Sequence, residues 1–365
     1  MTGRRGWIVL AAGAVVLVGA VTGREVGASA TAAGGAFVLP HRLSDTGLYA
    51  DAGTLTIDAR VRRFAPQYPL WSDGAAKRRW VRLPEGTAID TRDVNHWDFP
   101  VGTRFWKEFA FGGRRVETRM LVKTTAGRWE FAAYAWGEDQ RDALLVPAEG
   151  LAGVAEVAPG KWHDVPSRDE CRACHDSGRT EILGFTALQL SDDRDPLAPH
   201  AEPLEPGMLT VRTLADEGRL APARPELVTT PPRIAAPDAR ERAVLGYLSA
   251  NCGSCHNPRS TIASLGLNLQ HLATDCVPAA IATSVDQPGH WVVPTAPAGT
   301  SRIVRAGRPE LSALLYRAAS RRPSSQMPPI GTKVADREAL ELVRAWIASN
   351  PGEIRGSCVN PPATH

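Results

Sequence analysis

Two five-residue runs, Cys171-Arg172-Ala173-Cys174-His175 and Cys252-Gly253-Ser254-Cys255-His256, constrain this 365-residue chain more than any other feature. Two cysteines separated by two residues, with histidine directly after, form the attachment signature of c-type haem. In that chemistry each thiol becomes a thioether to the macrocycle, and the histidine becomes an axial iron ligand. One helical turn presents both sulfurs to the macrocycle edge with the imidazole below the metal. A zinc site would need ligands at other spacings, and a redox CxxC has no use for the adjoining histidine. The chain holds only six cysteines, and four fall into these two copies. The expected cofactors are two c-type haems on Cys171, Cys174, Cys252 and Cys255, with His175 and His256 as the proximal ligands.

Haem is joined to such chains after export, and the N-terminus agrees with export. Arg4 and Arg5 precede an uncharged apolar stretch, Trp7 to Val21, and Ala28-Ser29-Ala30 is a small-x-small cleavage pattern. Residues 1–30 therefore read as a signal peptide, leaving a mature chain from Thr31. The 18 residues from Gly6 to Gly23 sit at the lower limit for a spanning helix, so an uncleaved membrane anchor is the alternative. The expected location is the periplasm or the exported face of the cytoplasmic membrane. A formal net charge of +3 with no dense Lys/Arg run argues against a nucleic-acid partner. Cys276 and Cys358 lie outside both motifs, and in an oxidising compartment they are a candidate disulfide; the alternative is two buried thiols.

The chain reads as several domains. Residues 48–165 are β-rich. Thr54 to Phe64 alternates, with Leu55, Ile57, Ala59 and Val61 on one face. Thr103 to Phe111 runs into Gly112-Gly113, a hairpin signal, and Arg114 to Lys123 returns. A second turn at Thr125-Ala126-Gly127 leads to Arg128 to Trp136. A sandwich or jelly-roll-like domain is expected. Seven of the ten tryptophans lie between Trp71 and Trp162, where they are read as core. Residues 166–220 form a short first haem segment with no obvious long helix before Cys171. A proline-rich linker, 221–237, follows. Residues 238–358 turn helical. Asp238 and Glu241 suggest a capping box ahead of Val244, Leu245, Tyr247 and Leu248. Glu310 to Ala319 is a further helix, and Asp336 caps a last one carrying Ala339, Leu340, Val343, Trp346 and Ile347.

A helix entering CxxCH, a Met-Pro-Pro loop and a last helix ending in Ala-Trp-Ile make residues 238–350 resemble a class I cytochrome c domain. The resemblance implies that first and last helices cross and clasp the haem. It also implies that Met327, in Gln326-Met327-Pro328-Pro329, is the sixth ligand. A neutral thioether favours Fe(II) and suits that role independently. The whole of Leu48 to Cys358 resembles an uncharacterised family of exported di-haem c-type cytochromes. Pro69-Leu70-Trp71-Ser72-Asp73, Arg82 to Thr87, Pro100 to Thr103 and Glu117-Thr118-Arg119 carry that likeness with the two haem motifs. That family implies no assigned reaction.

The first haem's sixth ligand stays open. His200, in the loop Asp195 to His200, is the first candidate and Met208 the second; His163 and His96 follow, and an open position is the remaining case. His41, His271 and His365 read as solvated loop residues, and Met120 as core. The expected function is single-electron transfer between a redox-protein donor and acceptor, with no catalytic residue assigned. The alternatives are a di-haem peroxidase-like enzyme with one open haem, or a β domain that binds or reacts and is served by the haems. For the last, Asp73, His96, Asp98 and His163 are the polar residues whose convergence would count.

Overall fold

The dominant element is one antiparallel sheet whose spatial order is its chain order. Its strands are β1 (Arg62–Arg63), β2 (Ala76–Arg82), β3 (Arg104–Phe111), β4 (Arg114–Thr125), β5 (Arg128–Trp136) and β6 (Ala143–Leu145). These belong to a computed structural model that describes residues 37–125, 127–177 and 180–350. The N-terminal segment 1–30, Cys358 and His365 lie outside the described residues. Among those described, no helix is long and apolar enough to cross a membrane.

The meander forms where the sequence alternates. Gly112 and Gly113, at φ +55° and +79°, supply the two left-handed residues that a tight β3–β4 hairpin requires. Along β3, Phe105, Lys107 and Phe109 take one face and Trp106 and Glu108 the other. Trp80, Trp106, Met120 and Tyr134 pack against Leu43, Leu48 and Val61, so Met120 and these tryptophans are core as expected, whereas Trp71 is half-buried and Trp162 is 48% exposed. On the opposite face Val81, Phe105 and Phe131 pack against Ile182, Phe185, Leu190 and Leu214. The layer over this second face is thus the expected first haem segment, not a second sheet of comparable size. Burying each such large apolar side chain contributes roughly 1.5–3 kcal/mol.

Two expectations change. Thr54 to Phe64 is not one strand. Leu55 sits at φ +56°, Asp51 Oδ1 accepts from Gly53 N and Thr54 N, and Asp58 Oδ1 accepts from Arg60 N. These local bonds compete with a ladder and leave only short pairings at Thr56–Ile57 and β1. The proline-rich stretch 221–237 is tied down rather than free: Leu227 and Ile234 are buried, and Arg224 Nε donates to Thr91 O at 2.9 Å. No long helix precedes Cys171, as expected; the first motif lies on a short one, α1 (Arg168–His175), capped by Ser167 and Glu170 in a reciprocal box.

The later helices are α2 (Ala239–Asn251), α3 (Ala313–Ala319) and α4 (Arg337–Ser349). Asp238 accepts from Glu241 N and Asp336 from Ala339 N, caps of about 1 kcal/mol each. Val244, Leu245 and Leu248 meet Val343, Trp346 and Ile347 in one core, and Trp346 Nε1 donates to Glu241 Oε2 at 2.9 Å. First and last helices therefore pack together.

The β-rich front joins this helical part through Tyr68 to Asp73. Tyr68 lies so close to α2 that a Cβ at Gly246 would fall 2.0 Å from its ring. Trp71 N donates to Asn251 Oδ1 (2.7 Å) and its indole to Val334 O (3.1 Å). Asp73 Oδ1 accepts from Lys333 N and Val334 N. The described residues from Phe37 to Asn350 belong to one compact unit, and the Pro-Leu-Trp-Ser-Asp run is a structural joint within it.

Candidate functional site

Between the sheet, α1 and the helical part lies a cavity of about 1030 Å³, at the top of the range for small-molecule sites. Cys171, Cys174, His175, Cys252, Cys255, His256 and Met327 all line it. Two motifs 81 residues apart in sequence, counting from Cys171 to Cys252, thus open into one space. Cys174 and Cys255 interact across this space, which pulls Cys255 down and pushes Cys174 up. Asn257 Nδ2 donates to Ser177 O at 3.1 Å, tying the two motifs together just beyond their histidines.

Each motif is held differently. His175 Nδ1 donates to the Glu181 carbonyl, which leaves Nε2 free, and its ring lies 5.2 Å from that of Phe131. Burial holds it neutral, at about 4. The second motif follows directly from α2. Gly253 is required there, because a Cβ would come within 2.5 Å of Ser249 O and 2.9 Å of Gln270 Cα. His256 Nδ1 is buried with no partner among the described residues, and burial lowers the imidazole. Burial also pushes the Cys252 thiol up to about 12. Met327 is half-buried on a loop fastened to α3, its N–H donating to Arg317 O at 3.0 Å.

The residues fit covalent haem better than a bare ion. Among those described, no three His, Cys, Asp or Glu groups converge to hold a metal. Four unbridged thiols in CxxC pairs line a wide, largely apolar space, with a histidine nitrogen left over in each motif. Cys276 is disulfide-bonded, and Cys358, the other half of the expected pair, lies outside the described residues.

The candidates for the first haem's sixth ligand are distributed unexpectedly. His200 is not in the cavity wall. Its Nε2 bonds Asp336 Oδ1 at 2.9 Å and its ring lies 4.9 Å from that of Trp71, in the joint between front and helices. Met208 is also outside the wall, 4% exposed, its sulfur accepting from Glu205 N. His163 does line the cavity but is held by Glu117 (Nε2 to Oε1, 2.9 Å) and Asp73 (Nδ1 to Oδ2, 3.5 Å). Burial acts downward on His163, yet these two bonds raise it overall. Of the four polar residues expected to converge, Asp73 and His163 do; Asp98 instead pairs with Lys123.

Sequence reading missed His271. It is not a solvated loop residue: it is 7% exposed, it lines the cavity, and neither ring nitrogen has a partner among the described residues. Burial lowers it to about 4, so it is a neutral imidazole. Leaving a buried polar atom unsatisfied costs roughly 1–3 kcal/mol, which marks the site for a ligand. Only its place between Leu269 and Leu272 hinted at burial.

No protein-family model, curated protein or solved structure matches the chain.

Proposed function

We propose that this chain is an exported di-haem c-type cytochrome that passes single electrons between redox-protein partners. The observation that carries the reading is the single cavity, which both CxxCH motifs line with their cysteines and histidines. Cys171 and Cys174 would hold the first haem and Cys252 and Cys255 the second, with His175 and His256 as proximal ligands. Each haem, when bound, supplies a one-electron iron couple whose potential its axial ligands tune. The chain's own residues fix those ligands. Glu181 O orients His175, Arg317 O anchors the Met327 loop, and the α2–α4 core closes the second site in the manner of a class I cytochrome c domain. Attachment of this kind goes with a periplasmic or membrane-anchored protein.

His271, rather than His200 or Met208, is the ligand offered to the first haem. Residues 269–273 run from the second motif to the core that carries the first. Leu269 N donates to His256 O, His271 N to Ser249 Oγ and Ala273 N to Asn95 Oδ1. Ala273 and Cys171 then pack on the same apolar cluster. Intact-mass measurement of the exported protein, with a pyridine haemochrome spectrum, tests the reading: two covalent haems per chain are expected, and none would overturn it. A second reading, a haem enzyme with one exchangeable site, is favoured by the Asp73–His163–Glu117 cluster on the cavity wall. Carbon monoxide binding to the reduced protein separates the two, because a firmly six-coordinate pair does not respond.

A further inference from the structure

The cavity-facing side of the sheet carries a row that folding alone does not explain. Cross-strand pairing sets Arg79 opposite Lys107 and Lys107 opposite Arg119, so three cations stand side by side on β2, β3 and β4. All three line the cavity with the first motif. Like charges directly opposite one another destabilise a sheet, and burial sharpens the cost. The next row of the same face is Lys77, Phe109 and Glu117. Carboxylates answer only part of the charge. Glu202 pairs with Arg79, and Glu117 pairs with Arg119 at 2.6 Å while also bonding His163.

Two positions are left over. Arg79 is 5% exposed, and its Nη2 has no partner among the described residues. Lys107 Nζ makes no ion pair among them and sits 4.8 Å from the centre of the Phe109 ring. Burial, then the neighbouring Arg79, Lys77 and Arg119, holds Lys107 well below the usual lysine range. A desolvated ammonium between two guanidinium groups needs an anion to regain its charge.

We propose that Arg79, Lys107 and Arg119 form a binding site for a carboxylate or small oxyanion on the sheet wall of the cavity. The same chemistry has two sources: a propionate of the first haem, or a free anion entering from solvent. The propionate source rests on the covalent-haem reading, which the haemochrome spectrum tests separately.

The experiment compares wild type, Lys107→Gln and Lys107→Arg as haem-loaded full chains. Formate is the probe at constant ionic strength, with chloride as control. If a propionate occupies the row, Lys107→Gln lowers the midpoint potential of one haem, Lys107→Arg restores it, and formate leaves all three spectra unchanged. If a free anion occupies it, formate perturbs the wild-type spectrum saturably, and its affinity falls at least about tenfold in Lys107→Gln, the worth of one charge-assisted bond. If Lys107→Gln does not fold, Lys107→Met, which keeps the aliphatic stem and removes the charge, takes its place with the same two expected outcomes. Unchanged potentials together with no formate binding would overturn the proposal.

Discussion

The two CxxCH motifs share one spacing and differ in what supports them. The second ends a thirteen-residue helix that packs against another of thirteen residues, so its surroundings are built within one stretch of chain. The first rides on the eight-residue α1 and takes its walls from strands far away in sequence, among them Phe131 of β5 and Arg119 of β4. On the proposed reading, a segment too short to enclose a cofactor borrows a sheet as its pocket, which is a physical reason for the β-rich front to be fused to the helical part.

The largest expected effect comes from removing the attachment sulfurs. Cys252→Ala with Cys255→Ala should remove one haem and loosen α2 against α4. Cys171→Ala with Cys174→Ala should remove the other while the sheet, with apolar clusters on both faces, stays folded. Intact mass and far-ultraviolet melting check both. If the two double variants melt alike, the contrast between a self-built and a borrowed site fails. Next, Met327→Ala should lower the potential of the second haem only and open it to carbon monoxide. His271→Ala should open the first haem only, leaving the second haem's spectrum intact. Both substitutions acting on the same haem would sink the assignment of His271.

How much was legible follows from where each signal lives. The strands from Arg104 to Trp136 and the helices α2 and α4 are written in local periodicity and caps, and they fold as read. The box Ser167-x-x-Glu170 was equally local and was passed over, because α1 has no apolar face to draw attention to it; none of its residues is buried. His271 and the cation row could not be read at all. One depends on a loop folding against Gly253, the other on the register of three strands, and both are set by distant contacts. His200 misled because a histidine in a proline-rich loop looks free, whereas Asp336 and Trp71 claim it.

Smaller effects probe the joint between the two regions. Gly246→Ala drives a methyl into Tyr68 and should destabilise by about 1–3 kcal/mol, with sheet and helices melting in one transition. Separate transitions, read by near-ultraviolet and Soret signals, would mean that the regions fold apart. The smallest effect is His200. Its bond to Asp336 raises the imidazole above the ordinary value near 6.5. The stabilisation is therefore full below about pH 6.5 and is lost as pH rises through the folded-state value. His200→Gln should lower the melting temperature at acidic pH and leave it nearly unchanged at alkaline pH, with a loss of about 1 kcal/mol at most.

The most direct test of the account is circular dichroism across the Soret band, comparing wild type with the sum of the two single-haem variants. Haems held by two motifs that line one cavity would lie close together, so wild type should show a bisignate exciton couplet that the sum lacks. A wild-type spectrum equal to that sum would contradict the shared cavity.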